Sequence, residues 1–439
     1  MSQDHLSVAN IVSALLWLFF LLVLANFRKN RVENQETRQY FMLNFWYKIF
    51  MSSIFAAVYL FYFGGGDTTA YWDGGVVLNN VMFEDFGHYI ESLLNPPSEE
   101  LRSLHFNSET GYPPGWIYRE EEAWFVCKIV SIISLFTFQS YFAGTFVFSY
   151  FISIASFNLL ERILRLNIHS TRLAAFAVLF VPSVAFWCAG VSKDTITFWS
   201  VLVLISIFLK VVVLKEKMKF TQVILVFVAI FLLYHTRVFI LAATIAPLAM
   251  AYGARITKKY ERLPITKFTL RFLLIGISFS AFIGFLGSGV ALDLVQEAQI
   301  VQEDFQNNAI YTGKRYEIDN TDPTPVGLLS AMPLSIFYGI FKPLPYEALS
   351  PTLLFNGLES LFLIVLSVAF LFRGFRKNIS MVINQEFLIF CLIFVLFVGF
   401  MAGFSSVLFG VLVRIRAPLL PFFFLLLTAQ INKKQIAST

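Results

Sequence analysis

Apolar runs of about 17 to 22 residues recur along this chain, separated by short stretches rich in Lys and Arg. Each run is long enough to cross a hydrocarbon core of about 30 Å as an α-helix. The runs lie at about Val8 to Asn26, Tyr47 to Phe63, Tyr141 to Leu160, 172 to 189, 196 to 213 and 220 to 234. Further runs lie at about 238 to 253, 268 to 288, 352 to 372, 386 to 403 and 407 to 428. The expected fold is all-α and polytopic, with about eleven transmembrane helices. The start of the chain has neither a basic n-region nor a small-residue cleavage site, so the first run is expected to stay as a helix.

Basic residues set the orientation. Arg28, Lys29 and Arg31, with Arg38 and Lys48 further on, follow the first run, and Arg162, Arg165 and Arg172 follow Leu160. Lys215, Lys217 and Lys219, then Arg255, Lys258, Lys259, Arg262, Lys267 and Arg271, then Arg373, Arg376 and Lys377, and finally Lys433 and Lys434 mark the remaining loops. The positive-inside rule makes all of these cytoplasmic and puts the N-terminus outside and the C-terminus inside. Two long regions, 64–138 and 289–350, then become extracytoplasmic loops. Residues 123–138 are apolar but include Lys128, and we read them as a helix lying in the interface. No internal repeat is evident, so 1–439 reads as one membrane domain with two outer insertions.

Composition agrees with this class. Of 439 residues, 57% are hydrophobic and 14% charged, and mean hydropathy is +0.71. Soluble domains carry about 25% charged residues. The net charge of +5 follows from the cytoplasmic loops and does not argue for nucleic acid. Cys127, Cys188 and Cys391 show no CxxC or metal-ligand spacing, so neither a disulfide framework nor a zinc site is expected.

Candidate chemistry begins at Gly64-Gly65-Gly66-Asp67-Thr68-Thr69-Ala70-Tyr71-Trp72-Asp73-Gly74-Gly75, where the second run ends on the outer side. Asp67 and Asp73 are suited to act as general base toward a hydroxyl or as ligands of a divalent cation such as Mg or Mn; a solvated turn is the ordinary alternative. Tyr71 lies between them. Lys193 and Asp194 fill one tight outer turn, His235 and Arg237 another, and Arg414 and Arg416 lie near the outer half of the last helix. These cations oppose the positive-inside trend, and charges at that depth mark functional sites when they are not simply paired or snorkelling. Arg and Lys both bind phosphate, Arg by a fork and Lys as a point charge. Residues two apart on a helix point about 200° from each other, so Arg414 and Arg416 do not share a face unless the nearby prolines break the helix. Lys342, in Phe341-Lys342-Pro343-Leu344-Pro345-Tyr346, is a lesser phosphate candidate in a segment that also reads as an interfacial anchor.

The segment Gly66-Asp67-Thr68-Thr69-Ala70-Tyr71, together with Pro182-Ser183 through Trp187 to Lys193-Asp194 and Arg416-Ala417-Pro418-Leu419-Leu420-Pro421, resembles the GT-C superfamily of membrane glycosyltransferases. Segments of that kind recur in bacterial exopolysaccharide membrane proteins. The resemblance implies an inverting transferase in the bacterial inner (plasma) membrane, using a polyprenyl-phosphate-linked sugar in envelope or exopolysaccharide assembly. It also implies Asp67 as base, basic residues holding the lipid phosphate, and membrane lipid and other polysaccharide-assembly proteins as partners. This chain departs from the pattern in two ways: its acidic loop follows the second helix, and Asp67 lacks an adjacent second acid, which leaves Asp73 or an acid from Glu120 to Glu122 as candidates to share the role. A polysaccharide polymerase or ligase, and a transporter or flippase of lipid-linked sugars, are the alternatives.

Overall fold

The computed structural model describes residues 5–32, 34–257, 264–286, 316, 325–348, 350–372, 374–406 and 408–430. Every regular element among them is helical. Among the described residues, eight helices are long and apolar enough to cross a membrane: Val8–Asn30, Gln35–Tyr62, Tyr141–Leu164, Lys193–Val213, Val238–Thr257, Leu353–Phe372, Glu386–Ser405 and Phe409–Thr428. Shorter apolar helices occupy Thr171–Trp187, Phe220–Thr236, Thr269–Phe282 and Leu329–Phe341. The chain is thus a polytopic helical membrane protein.

The chain divides into two compact units. The first comprises Met1–Glu161, Val184–Val203 and Ile224–Val238, and the second Arg162–Ser183, Leu204–Val223 and Phe239–Thr439.

In the first unit, α1 (Val8–Asn30) starts on Ser7, whose hydroxyl accepts from Asn10 N. Helix α2 (Gln35–Ala57) continues through a π turn at Val58–Tyr62. It begins on Asn34, whose side chain accepts from Glu36 N at 2.9 Å, a dozen residues before the start expected from hydropathy. Lys48, expected in a cytoplasmic loop, therefore lies well inside a spanning helix. Five helices fill residues 64–138: α3 (Asp67–Glu84), α4 (Phe86–Leu94), α5 (Glu99–His105), α6 (Gly115–Arg119) and α7 (Glu121–Phe136). Helix α8 (Tyr141–Leu164) follows.

Close packing of α3 depends on small residues. A Cβ at Gly74 would sit 2.7 Å from Cys127 Sγ, and one at Gly75 2.5 Å from Val130, so α7 lies directly on that face. Trp72 is fully buried and occupies the space left by Gly144 of α8, where a Cβ would meet its ring at 2.1 Å. Its indole N–H donates to Gln139 O at 3.2 Å. Helix α1 is tied to the same region by Ser13 donating to Thr137 O at 2.9 Å and Trp17 to Phe136 O at 3.1 Å.

After α8 the chain runs through α9 (Thr171–Ala175), α10 (Pro182–Trp187), α11 (Lys193–Phe208), α12 (Phe220–Thr236), α13 (Val238–Thr257) and α14 (Pro264–Leu286). Then come α15 (Pro325–Phe341), α16 (Pro351–Phe372), α17 (Phe375–Asn384), α18 (Glu386–Ser405), α19 (Phe409–Arg416) and α20 (Leu420–Thr428).

The second unit is organised around α18, which is buried along nearly its whole length. Helix α15 packs on it backbone to backbone: a Cβ at Gly339 would sit 1.8 Å from Gly399 O, and one at Gly403 1.9 Å from Ser335 O. Residues 325–341, expected within the second outer loop, are therefore an apolar helix in close contact with another helix. Proline at its first position is compatible with a helix start. Lys314 and Arg315 lie outside the described residues.

Candidate functional site

Gly64, Gly65 and Gly66 have φ of +67°, +125° and +142°, which other residues rarely adopt, and they turn the chain sharply from the end of α2 into α3. Thr69 closes the start of α3, its hydroxyl accepting from Gly66 N at 3.1 Å and lying 3.0 Å from Gly66 O. Asp67 is thus the first residue of a helix, where its charge complements the helix dipole. Asp73 is six residues on, and on a helix these two carboxylates point about 120° apart. They do not form a facing pair. Tyr71 between them is buried in the core of the first unit.

Asp73 is the carboxyl with a distinctive setting. Its Oδ1 lies 3.4 Å from His5 Nε2. Burial raises its pKa to about 6. The His5 ring is 5.3 Å from that of Tyr141, whose hydroxyl is 2.9 Å from Thr68 Oγ1. Hydropathy gave no signal for His5, because its position beside α3 depends on tertiary packing.

The two charged turns of the first unit, at Lys193-Asp194 and at His235–Arg237, do come together. Arg237 donates to Asp194 Oδ1 at 2.9 Å. Lys193 Nζ is paired with Glu120 and lies 3.4 Å from Glu122 Oε2. Three separate stretches, the start of α7, the start of α11 and the α12–α13 turn, thus supply one network of two cations and three carboxylates. Asp194 and Lys193 are buried, whereas the Glu120 side chain is 50% exposed. Burial raises the pKa of Glu122, opposed by the charges of Lys193 and Arg237. Cys127 lies within electrostatic reach of both Asp73 and Lys193, and burial pushes its thiol well above the ordinary range, leaving it inert. His235 stacks on Phe125 at 4.8 Å.

The remaining sequence candidates belong to the second unit. Arg416 is fully buried. Its guanidinium donates to Ile340 O at 3.3 Å, Lys342 O at 2.5 Å, Ser360 Oγ at 2.9 Å and Asn356 O at 3.3 Å, and lies 3.8 Å from Glu359 Oε2. Arg414 is half-buried, on a different side of the helix, as the two-residue spacing requires. Lys342 pairs with Glu347 at 2.6 Å and lies 4.4 Å over the Tyr338 ring.

Among the described residues, no three His, Cys, Asp or Glu side chains are grouped to hold a metal ion. No step is routed through a divalent cation. The fold defines the class, a multi-pass helical membrane protein. Compared with known proteins, the chain matches no family model, no curated relative and no solved structure.

Proposed function

We propose that the protein is a membrane glycosyltransferase that moves a sugar from a polyprenyl-phosphate-linked donor to an acceptor hydroxyl at the outer membrane–water boundary. The reading retains about eleven spans, an outside N-terminus and an inner-membrane location. One observation carries it: Asp73, whose pKa burial raises to about 6, lies on α3, which packs at Gly74 directly on Cys127 of α7, the helix whose start sets Glu120 and Glu122 against Lys193. A base with pKa near the working pH is best matched to deprotonating a hydroxyl.

In this reading Asp73 takes the acceptor proton as the acceptor oxygen forms its bond to the anomeric carbon. The bond from that carbon to the phosphate oxygen breaks, and its electron pair leaves with the polyprenyl phosphate. Lys193 is the phosphate contact, because its partner Glu120 is exposed enough to exchange for a substrate oxygen. Arg237 acts through Asp194, holding the turn that presents Lys193. Asp67, at the start of α3, is a substrate-orienting group beside the glycine turn. Membrane lipid and other polysaccharide-assembly proteins are the expected partners.

The test is transfer from a labelled polyprenyl-phosphate sugar by reconstituted full-length protein. Asp73→Asn should abolish bond formation while inserting normally. Full activity of Asp73→Asn would sink the mechanism. Loss of activity in His235→Ala alone would favour a polymerase or ligase, and label crossing the bilayer without a new glycosidic bond would favour a carrier.

A further inference from the structure

A second polar feature runs through the interior of the first unit. On α2, Asn44, Lys48 and Ser52 recur every four residues and are all fully buried. That spacing puts them on one face. On α8, Thr145, Ser149, Ser153 and Ser156 are buried as well. Asn44 Nδ2 donates to Ser153 O at 2.8 Å, and Ser149 Oγ lies 3.2 Å from Lys48 O and 2.9 Å from Ala189 O. The two helices therefore run antiparallel in register along a polar seam. The non-helical segment after α10 closes the third side: Cys188 and Ala189 are fully buried, and Cys188 lies within electrostatic reach of Lys48.

Lys48 is out of place in such a seam. It sits near the middle of the span Gln35–Tyr62, about 20 Å from either end at 1.5 Å per residue. Its Nζ is buried without a hydrogen-bond partner, and among the described residues no carboxylate pairs with it. The Ser52 hydroxyl is engaged by Ile49 O at 3.0 Å. Asn44 Oδ1, one turn toward the start of α2, is also a buried acceptor without a partner. The two unpartnered groups lie on the same face of α2, one turn apart. The ammonium N–H groups and a full positive charge remain uncompensated.

A desolvated ammonium without counter-charge costs several kcal/mol, and charges retained at this depth in membrane proteins face a partner or a polar cavity. Water satisfies the N–H groups but brings no charge. The wall is also tight, since a Cβ at Gly190 would meet the Phe55 ring at 2.3 Å.

We propose that Lys48 is the cationic pole of an internal site for a small monovalent anion, a halide or a short carboxylate, held between α2, α8 and the segment at Cys188 and Ala189. The ammonium N–H groups contact the anion, and the Asn44 side chain lines the same face one turn away. The site is separate from the outer charged network and does not depend on the transferase reading.

The test uses full-length protein in detergent, with sodium gluconate replaced stepwise by sodium chloride or sodium formate at constant ionic strength. The expected result is a saturable rise in Tm with chloride, formate or both, the two arms separating a halide from a carboxylate ligand. Lys48→Met, of similar volume, should lose at least tenfold in anion affinity yet unfold no earlier than wild type in gluconate. A wild-type Tm that ignores both anions, or an anion response preserved in Lys48→Met, overturns the proposal. Should Lys48→Met not fold, chloride-35 line broadening on the wild type decides: broadening reversed by formate or bromide supports the site, and its absence refutes it.

Discussion

Asp73→Asn tests the environment of the proposed base without needing a substrate. Its carboxyl is raised from 3.8 to about 6 by burial, and a displacement of that size corresponds to about 3 kcal/mol. The sign follows from linkage: the folded-state pKa lies above the unfolded one, so the fold favours the protonated acid. That contribution is fully present below pH 3.8 and is lost as the pH rises through about 6. Asparagine has no such step. Wild type and variant should therefore differ little near pH 4, and the variant should become relatively more stable as the pH climbs toward 7. With the side chain 28% exposed, about 3 kcal/mol is an upper bound. Tryptophan fluorescence melts of the full chain in detergent between pH 4 and 8 read this as a Tm difference of a few degrees. A difference that stays flat with pH, or a wild type that gains with pH, would show that an ionic partner such as His5 stabilises the carboxylate, and the argument for a raised pKa would fail. The same group predicts that transfer activity falls as the pH drops through about 6.

Other parts of the structure give sharp expectations. Asp194→Asn leaves Arg237 without its carboxylate in a nearly buried setting and should cost about 3–5 kcal/mol, much of it recovered in Asp194→Asn/Arg237→Gln; strictly additive losses in thermal melts would argue against a direct pair. Arg416→Ala removes a guanidinium bonded to the carbonyls of Ile340, Lys342 and Asn356 and should lower stability by about 3–5 kcal/mol, read as lost monodisperse yield; a normally stable variant would contradict the packing described. Gly339→Ala drives a methyl toward Gly399 O and should cost about 1–3 kcal/mol or more, whereas Gly276→Ala, with nothing within 4 Å of the new Cβ, should be neutral; equal Tm values for the two would exclude the close α15–α18 contact.

Much of the helical frame was legible because a strongly apolar span is recognised from length and hydropathy alone, whether it faces lipid or other helices. Tyr141–Leu164, Val238–Thr257 and Glu386–Ser405 fall close to where the apolar runs put them. The first part of α2 was not legible: its buried Asn44 and Lys48 face other helices, so average hydropathy undervalues it. Helix α15 was obscured by Pro333 and by aromatics that also suit a membrane boundary. In the charged network the sequence placed Lys193 beside Asp194, suggesting a local pair. The structure instead pairs Lys193 with Glu120 and Asp194 with Arg237. Partners more than 40 residues apart in sequence leave no trace in periodicity.

Arg416, Arg237, Lys193 and Lys48 differ in what a ligand must displace, and that difference ranks these four as binding groups. Arg416 is held by backbone carbonyls that are fixed by their own helices, so an incoming phosphate has nothing to exchange with. Arg237 faces Asp194, a carboxylate only 2% exposed, whose release would strand a charge. Lys193 faces Glu120, which is half-exposed and regains hydration when displaced, so of the Arg237 and Lys193 pairs this exchange is the less costly. Lys48 has nothing to displace. The proposed transferase reading therefore assigns a phosphate to Lys193 and the proposed interior site assigns a small anion to Lys48, so charge reversal at Glu120 and neutralisation at Lys48 should affect separate ligands.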